Sequence, residues 1–174
     1  KKNIALMGHM GSGKSVLGKL ISKKLNFNHV DSDKLIEKKS NKTINEIFQT
    51  KGESYFRLIE ENVILETIYQ KKLVLSLGGG SILSPKIRKA LKGNFLTVFL
   101  DVDFAILSKR LIKSKRRPLI NDTNIEEKIK ELDAIRRKFY LLADITLKNH
   151  LTTTDAFAEF RKKYIEFYEK YNSN

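Results

Sequence analysis

Cysteine is absent from the 174 residues, which excludes a disulfide framework, a thiolate zinc site and a cysteine nucleophile. Proline occurs twice and glycine nine times, so a collagen-like or Pro/Gly-rich disordered chain is excluded as well. With 41% apolar and 31% charged residues, the chain has the balance of one that folds into a globule. Its length predicts a single domain over residues 1–174 with a real core. No apolar run approaches the roughly 18 to 20 residues that cross a bilayer. The segment KKNIALMGHMG turns to glycine too early for a signal-peptide core. The expectation is a soluble, cytoplasmic protein without membrane association.

Basic residues are plentiful, 34 against 20 acidic, for a formal charge of +14. Such a charge invites a nucleic-acid or anionic-ligand reading. The lysines argue against nucleic acid. The pairs Lys23 and Lys24, Lys38 and Lys39, and Lys71 and Lys72 are spread along the chain, as on solvated helix faces rather than in one binding stripe. The accompanying richness in Asn and Ile is the bias of an AT-rich coding sequence. Of the basic residues only 8 are arginine, so each arginine position is informative.

Hydrophobic periodicity gives the order of elements. Asn3–Met7 (NIALM) is a short apolar run that stops at Gly8, after which Val16, Leu17, Leu20, Ile21 and Leu25 recur at helical spacing. A second short run at 27–30 ends in the acidic Asp31-Ser32-Asp33, and helical sequence follows from Lys34. Thr43 and Glu46 have capping-box spacing for a helix ending near Gly52, and 53–71 reads as a longer amphipathic helix. Residues 73–77 (LVLSL) form a nearly continuous apolar run, as in a parallel strand covered on both faces, and break at Gly78-Gly79-Gly80. Strands are predicted at 95–100 and 144–147, and helices at 104–112 and 125–142. A final helix behind the cap Thr154 carries an aromatic stripe of Phe157, Phe160, Tyr164, Phe167, Tyr168 and Tyr171, which reads as packing. This alternation predicts an α/β fold, a doubly wound, five-stranded parallel sheet flanked by helices.

Residues 8–15, GHMGSGKS, fit GxxxxGK[ST] between a predicted strand and a predicted helix, the context that pattern requires. NH groups from Gly11, Ser12 and Gly13 into Lys14, Ser15 and Val16 converge on phosphate oxygens at the positive end of the helix dipole. Lys14 neutralises the β and γ phosphates and Ser15 offers its hydroxyl to Mg²⁺, which implies ATP or a similar nucleotide with magnesium. Asp31 and Asp33 alternate at the carboxyl end of the second strand, where doubly wound sheets place their ligands. One of them can orient magnesium through water and the other can take a proton from a substrate hydroxyl; the competing reading makes the segment only a helix cap. The glycines at 78–80 permit close approach to a ligand. Arg57, Arg110, Arg116, Arg117, Arg136 and Arg137 are the candidate anion-binding residues. Glu60 lies one turn after Arg57, a spacing often found in surface ion pairs. The basic stretch 113–123 (KSKRRPLINDT) reads as a loop able to close over phosphates, a mobile lid at about 112–124, and together with GxxxxGK[ST] it makes the expected fold one of P-loop NTPase type.

Taken in order, these motifs resemble the shikimate kinases, small P-loop enzymes of the nucleoside monophosphate kinase type. The resemblance runs from Gly8 through DSD at 31–33, GESYFRLIE, VLSLGGG and RRPL to RRKFY at 136–140. It implies transfer of the γ-phosphoryl group of ATP to the 3-hydroxyl of shikimate, a step toward chorismate and aromatic amino acids, by a monomer whose partners are ATP and shikimate. In that resemblance Asp33 contacts the substrate hydroxyls and is the candidate base, and Asp31 orients Mg²⁺ through water. Arg57 and Arg136 grip the substrate carboxylate, and Gly79 and Gly80, next to Gly78, are backbone donors to the substrate. Arg117 is the lid arginine, Arg110 stacks on adenine, and Ser76 adds a water-mediated magnesium contact. The family often has a proline on the other face of the adenine, whereas 151–154 contains none. The rival readings are a gluconate or adenylate kinase, which needs a different acceptor site, and a nucleic-acid-binding P-loop protein, which needs aromatic stacking residues beside a basic groove.

Overall fold

The computed structural model of the chain describes residues 2–113, 124–148 and 152–172. Five strands form one parallel sheet in the order β2-β3-β1-β4-β5: β1 Asn3–Met7, β2 Asn28–Asp31, β3 Leu73–Ser76, β4 Phe95–Asp101 and β5 Ile145–Lys148. The helices are α1 Lys14–Leu25, α2 Ser32–Ser40, α3 Ile44–Thr67, α4 Pro85–Asn94, α5 Phe104–Lys113, α6 Ile125–Tyr140 and α7 Thr153–Asn172. The α/β doubly wound, five-stranded parallel sheet expected from the sequence is therefore present. Order reverses beside β1, which pairs with β3 on one side and β4 on the other, so the chain after β1 opens at the sheet's switch point, where such folds bind ligands.

Each face of the sheet has its own core. One gathers Ile4, Leu6, Val98 and Leu147 with Leu17 and Ile21 of α1 and Phe160 and Tyr164 of α7. The other gathers Ala5, Leu75, Phe95 and Phe99 with Ile64 of α3, Leu91 of α4 and Tyr140 of α6. The alternation of Ile4, Ala5 and Leu6 between the two cores is the period-2 rule of a strand covered on both sides. The aromatic stripe of α7 packs as expected: Phe160 and Tyr164 are buried, and Phe157, Phe167 and Tyr168 lie against the first core. The three lysine pairs are exposed.

Several boundaries differ from the sequence pattern. The break at Gly52 is real (φ 81°, ψ 174°), but the helices on either side run on as one kinked element that ends at Thr67 rather than Lys71. Helix α4 is an addition, although its start is locally encoded: Ser84 Oγ accepts from Ile87 N at 3.2 Å and Pro85 occupies the first turn. The cap of α7 is Thr152 rather than Thr154, since Asp155 N donates to Thr152 Oγ1 at 3.1 Å. Helix α5 reaches Lys113, so residues 112 and 113 of the expected lid are helical; the body of that segment, 114–123, lies outside the described residues. Among the described residues no helix is long and apolar enough to cross a membrane.

Candidate active site

The turn after β1 enters α1 through Gly13, whose left-handed conformation (φ 97°, ψ 10°) at the helix N-cap carries no Cβ penalty only for glycine. It borders a cleft of about 790 Å³, whose lining includes Gly11, Ser12, Ser15, Val16, Asp31 and Asp33. Lys14 is nearly buried, and its ammonium donates to the carbonyls of Gly8 and His9 at 2.8 Å each and to Ser12 Oγ at 3.4 Å. The loop thus seats its own lysine. Ser76 Oγ donates to the Lys14 carbonyl at 3.1 Å and meets His29 Nε2 at 3.0 Å, which ties the first turn of α1 to β3 and β2.

The three residues of the acidic segment make separate contacts. Asp31 Oδ2 accepts from the Ser15 hydroxyl, and its Oδ1 accepts from Lys34 N at 3.2 Å. The cap reading and the cleft reading of Asp31 therefore hold together. Ser32 is buried and its Oγ accepts from Gly78 N at 2.8 Å, which ties the acidic segment to the glycine turn. Asp33 reaches that turn itself: a Cβ built on Gly78 would lie 2.6 Å from Asp33 Oδ1. No group of three or more His, Asp or Glu among the described residues is placed to hold a metal ion. The hydroxyl of Ser15 and the carboxylate of Asp31, hydrogen-bonded at the cleft, do fit Mg²⁺, which takes hard oxygen donors and is usually held by one or two protein groups, waters and substrate phosphates.

All three glycines of the turn are approached by side chains from elsewhere. At Gly78 the neighbours are Asp33 and, 2.8 Å from a built Cβ, Glu60 Oε1; at Gly79, Arg136 Nη1 at 3.2 Å; at Gly80 a Cβ would collide with the Arg57 guanidinium. Side chains at these positions would displace the groups that converge there. Glu60 is 2% exposed, accepts from Arg57 Nη1 at 2.7 Å and from Ser81 Oγ at 2.6 Å. Its pair with Arg57 is thus a brace with a buried carboxylate and a half-buried guanidinium. Burial alone would lower the Arg57 pKa, but Glu60 and Glu53 outweigh it and hold it above the ordinary value. Arg136 is nearly buried and its Nε has no hydrogen-bond partner. Neither Arg57 nor Arg136 lines the cleft; both meet the turn that ends it. Arg110 lines the cleft together with Thr152 and Thr153 and donates from Nη1 to Gly11 O at 3.2 Å. Arg116, Arg117 and Leu151 lie outside the described residues.

Several residues of this region carry no sequence signal. Tyr140 donates to Gly79 O at 2.6 Å; burial pushes its hydroxyl up to about 12, so it stays a donor. Arg88 donates from Nη1 to the carbonyls of Ile82 and Leu83 at 2.8 Å each and stacks on Phe139 at 3.9 Å, which fastens the 3₁₀ turn Ser81–Leu83 to α6. His9, inside the phosphate-loop motif, hydrogen-bonds Asp133 on α6. Ser32 and Ser81 acquire their roles only from partners 46 and 21 residues away, which no local pattern reports.

Known proteins place this geometry. The family model described as shikimate kinase matches residues 10–167. The shikimate kinase of Thermodesulfovibrio yellowstonii is 40% identical over 169 residues, covering 97% of this chain and 96% of that protein. The solved structure of the Acinetobacter baumannii shikimate kinase in complex with shikimate superposes with a TM-score of 0.87 at 33% identity, over 97% of this chain and 93% of that one. A gluconokinase from Sinorhizobium meliloti also superposes, with a TM-score of 0.70 over 98% and 95% of the two chains, but at 17% identity that likeness is one of fold alone. With the phosphate loop, the acidic segment and the arginine-braced glycine turn in the order and places described, the chain belongs to the shikimate kinase family.

Proposed function

We propose that the enzyme transfers the γ-phosphoryl group of Mg-ATP to the 3-hydroxyl of shikimate, giving ADP and shikimate 3-phosphate. The observation that carries this reading is the convergence of Asp33, Glu60, Arg136 and Arg57 on three consecutive glycines at the end of the phosphate-loop cleft. A small acceptor carrying a carboxylate and several hydroxyls needs such a set. Arg57 and Arg136 hold the carboxylate, for which guanidinium is suited by its paired donors. Gly79 and Gly80 offer backbone NH groups, with Gly78 beside them, and Asp33 receives the hydroxyls.

In the reaction the acceptor oxygen forms its bond to the γ-phosphorus as the bond to the β–γ bridging oxygen breaks, and Asp33 takes the hydroxyl proton. Lys14, seated on the Gly8 and His9 carbonyls, turns its third donor to the β and γ phosphates, and the loop backbone from Gly11 to Val16 cradles the rest. Ser15, and Asp31 through water, would hold Mg²⁺, which would supply charge neutralisation at the phosphates. Arg110 is assigned to the base, and Arg117, outside the described residues, is assigned to the transferring group by the family resemblance. The braces give the site its rigidity: Glu60 fixes Arg57, and Ser32 and Tyr140 fix the turn on which the acceptor rests. Such positioning is where much of the rate enhancement of phosphoryl transfer originates.

The test is ADP release from Mg-ATP by the purified enzyme with shikimate, gluconate or AMP as the added acceptor. Strong stimulation by shikimate alone is the expected result. Stimulation by gluconate or AMP instead would overturn the assignment of the acceptor and leave the phosphate loop standing.

A further inference from the structure

Helix α6 presents Asp133, Arg136 and Tyr140 at i, i+3 and i+7, on one stripe. The two outer members tie the helix to different loops. Tyr140 holds Gly79 of the glycine turn, and Asp133 Oδ1 meets His9 Nε2 of the phosphate loop at 2.8 Å. Both partners of the second tie are enclosed, their side chains 7% and 8% exposed. The His9 ring stands edge-on to Tyr140 at 5.3 Å and to Phe104 at 6.5 Å. Apolar side chains of similar volume would pack there at comparable stability, because desolvation offsets much of what a buried polar pair contributes. What the pair adds is direction and distance.

From Asp133 the connection runs on both sides. Through the His9 ring it reaches the His9 backbone, whose carbonyl seats the Lys14 ammonium at 2.8 Å. On the other side Asp133 Oδ2 lies 3.5 Å from Arg137 Nη1, and Arg137 in turn grips Asp101 at the end of β4 through two bonds of 3.2 and 3.1 Å. The carboxylate is therefore anchored to the sheet. One turn along the helix is Arg136, buried, aimed at Gly79, with an unpartnered Nε. The hydrogen bond between His9 and Asp133 thus joins the loop that seats the lysine to the helix that carries the arginine.

We propose that His9 is a positioning residue that couples the nucleotide and acceptor sites: its bond to Asp133 fixes the carbonyls that seat Lys14 relative to Arg136, so that filling either site preorders the other. The inference rests on the proposed assignment of Lys14 to phosphate and Arg136 to the acceptor carboxylate. Coupling of this kind is reciprocal. It must raise shikimate affinity when Mg-ADP is bound and Mg-ADP affinity when shikimate is bound, by the same factor.

Calorimetric titrations of shikimate with and without Mg-ADP, and of Mg-ADP with and without shikimate, measure that factor, with thermal unfolding as the control for folding. The wild type is expected to show synergy of about tenfold in both directions. His9→Phe, which keeps the ring packing, and Asp133→Leu should bring the factor close to one, and the double variant should do no more than either single one. His9→Gln, whose amide reaches the same carboxylate, should restore it. A wild type without synergy, a His9→Phe variant that retains it, or a Gln variant that fails to restore it overturns the proposal. Should His9→Phe or Asp133→Leu not fold, Asp133→Asn weakens the charge-assisted bond while keeping its shape, and undiminished synergy there overturns it equally. Arg136→Lys is measured alongside. If it binds shikimate as tightly as wild type, the site assignment fails and the coupling with it. If it binds about tenfold more weakly while His9→Phe keeps full synergy, only the coupling fails.

Discussion

The phosphate loop and the glycine turn both bring backbone close to a ligand, and they are assembled by opposite means. The phosphate loop seats its lysine mostly from within: Gly8, His9 and Ser12 hold Lys14, and Gly13 turns the chain into α1, with His9 tied outward to Asp133 of α6. The glycine turn contributes little but room. Its neighbours come from α2, α3 and α6, and its own backbone is held by Ser32 and Tyr140. A site of the first kind is reached from elsewhere only through the few bonds that tie it outward, such as His9 to Asp133, whereas one of the second kind depends on every element that delivers a side chain to it. Variants at the turn should therefore alter acceptor parameters and leave Mg-ATP binding in the absence of acceptor untouched.

The largest effect is expected from Asp33→Asn, which should reduce kcat by roughly 10²- to 10⁴-fold with little change in the Kd for Mg-ATP. Near-normal turnover would remove Asp33 from the role of base. Gly80→Ala comes next, because its Cβ pushes the Arg57 guanidinium off its place beside Glu60; kcat/KM for shikimate should drop on the order of 10- to 100-fold with little loss of Tm. An equal drop in Mg-ATP affinity would break the division between the two regions. Arg57→Lys keeps charge but loses the paired donors, so the shikimate KM should rise about tenfold, measured by steady-state kinetics at saturating Mg-ATP; an unchanged KM rejects the carboxylate assignment.

The smallest effect concerns pH and sharpens the comparison from the side of the phosphate loop. Burial holds the His9 imidazole below its ordinary value of 6.5; the bond to Asp133 works against that shift, while Arg136 and Lys14 add to it. With its folded value depressed, the unfolded chain binds more protons at His9 throughout the interval between the two values. Stability contributed by the neutral ring is therefore complete above about pH 6.5 and lost as pH falls toward the folded value. His9→Gln should lose less stability than wild type between pH 7.5 and 5, by no more than about 1.4 kcal/mol per pH unit, in urea unfolding at each pH. Identical losses would show that His9 does not titrate with folding.

Much of the fold was legible because its signals are local. The apolar runs at Asn3–Met7 and 73–77 end in glycine, and helical spacing resumes after the phosphate loop and after the acidic segment at 31–33. The capping box at Thr43 and Glu46 forms as the spacing indicates. What misled was equally local. Thr154 resembles a cap as well as Thr152 does, and only the bond from Asp155 N decides between them. Helix α4 carried a readable start at Ser84 and Pro85 but a weak apolar pattern, with only Ile87 and Leu91 buried. Glu60 shows the limit of the spacing rule: an i, i+3 pair says two side chains can meet, and says nothing of the Ser81 hydroxyl or the burial that turn the pair into a brace.

The sequence alone determined the alternation of strands and helices, the phosphate loop and the residue types available to the cleft, since each depends on backbone preferences and side-chain periods within about a dozen neighbours. Only the tertiary structure decided that Asp31 both caps α2 and meets Ser15, that three glycines receive side chains from three helices, and that His9 finds Asp133 across 124 positions. The reason is physical. Hydrogen bonds and buried ion pairs form between whichever groups the packed layers bring within about 3 Å, and that proximity is set by the stacking of α2, α3 and α6 on the sheet.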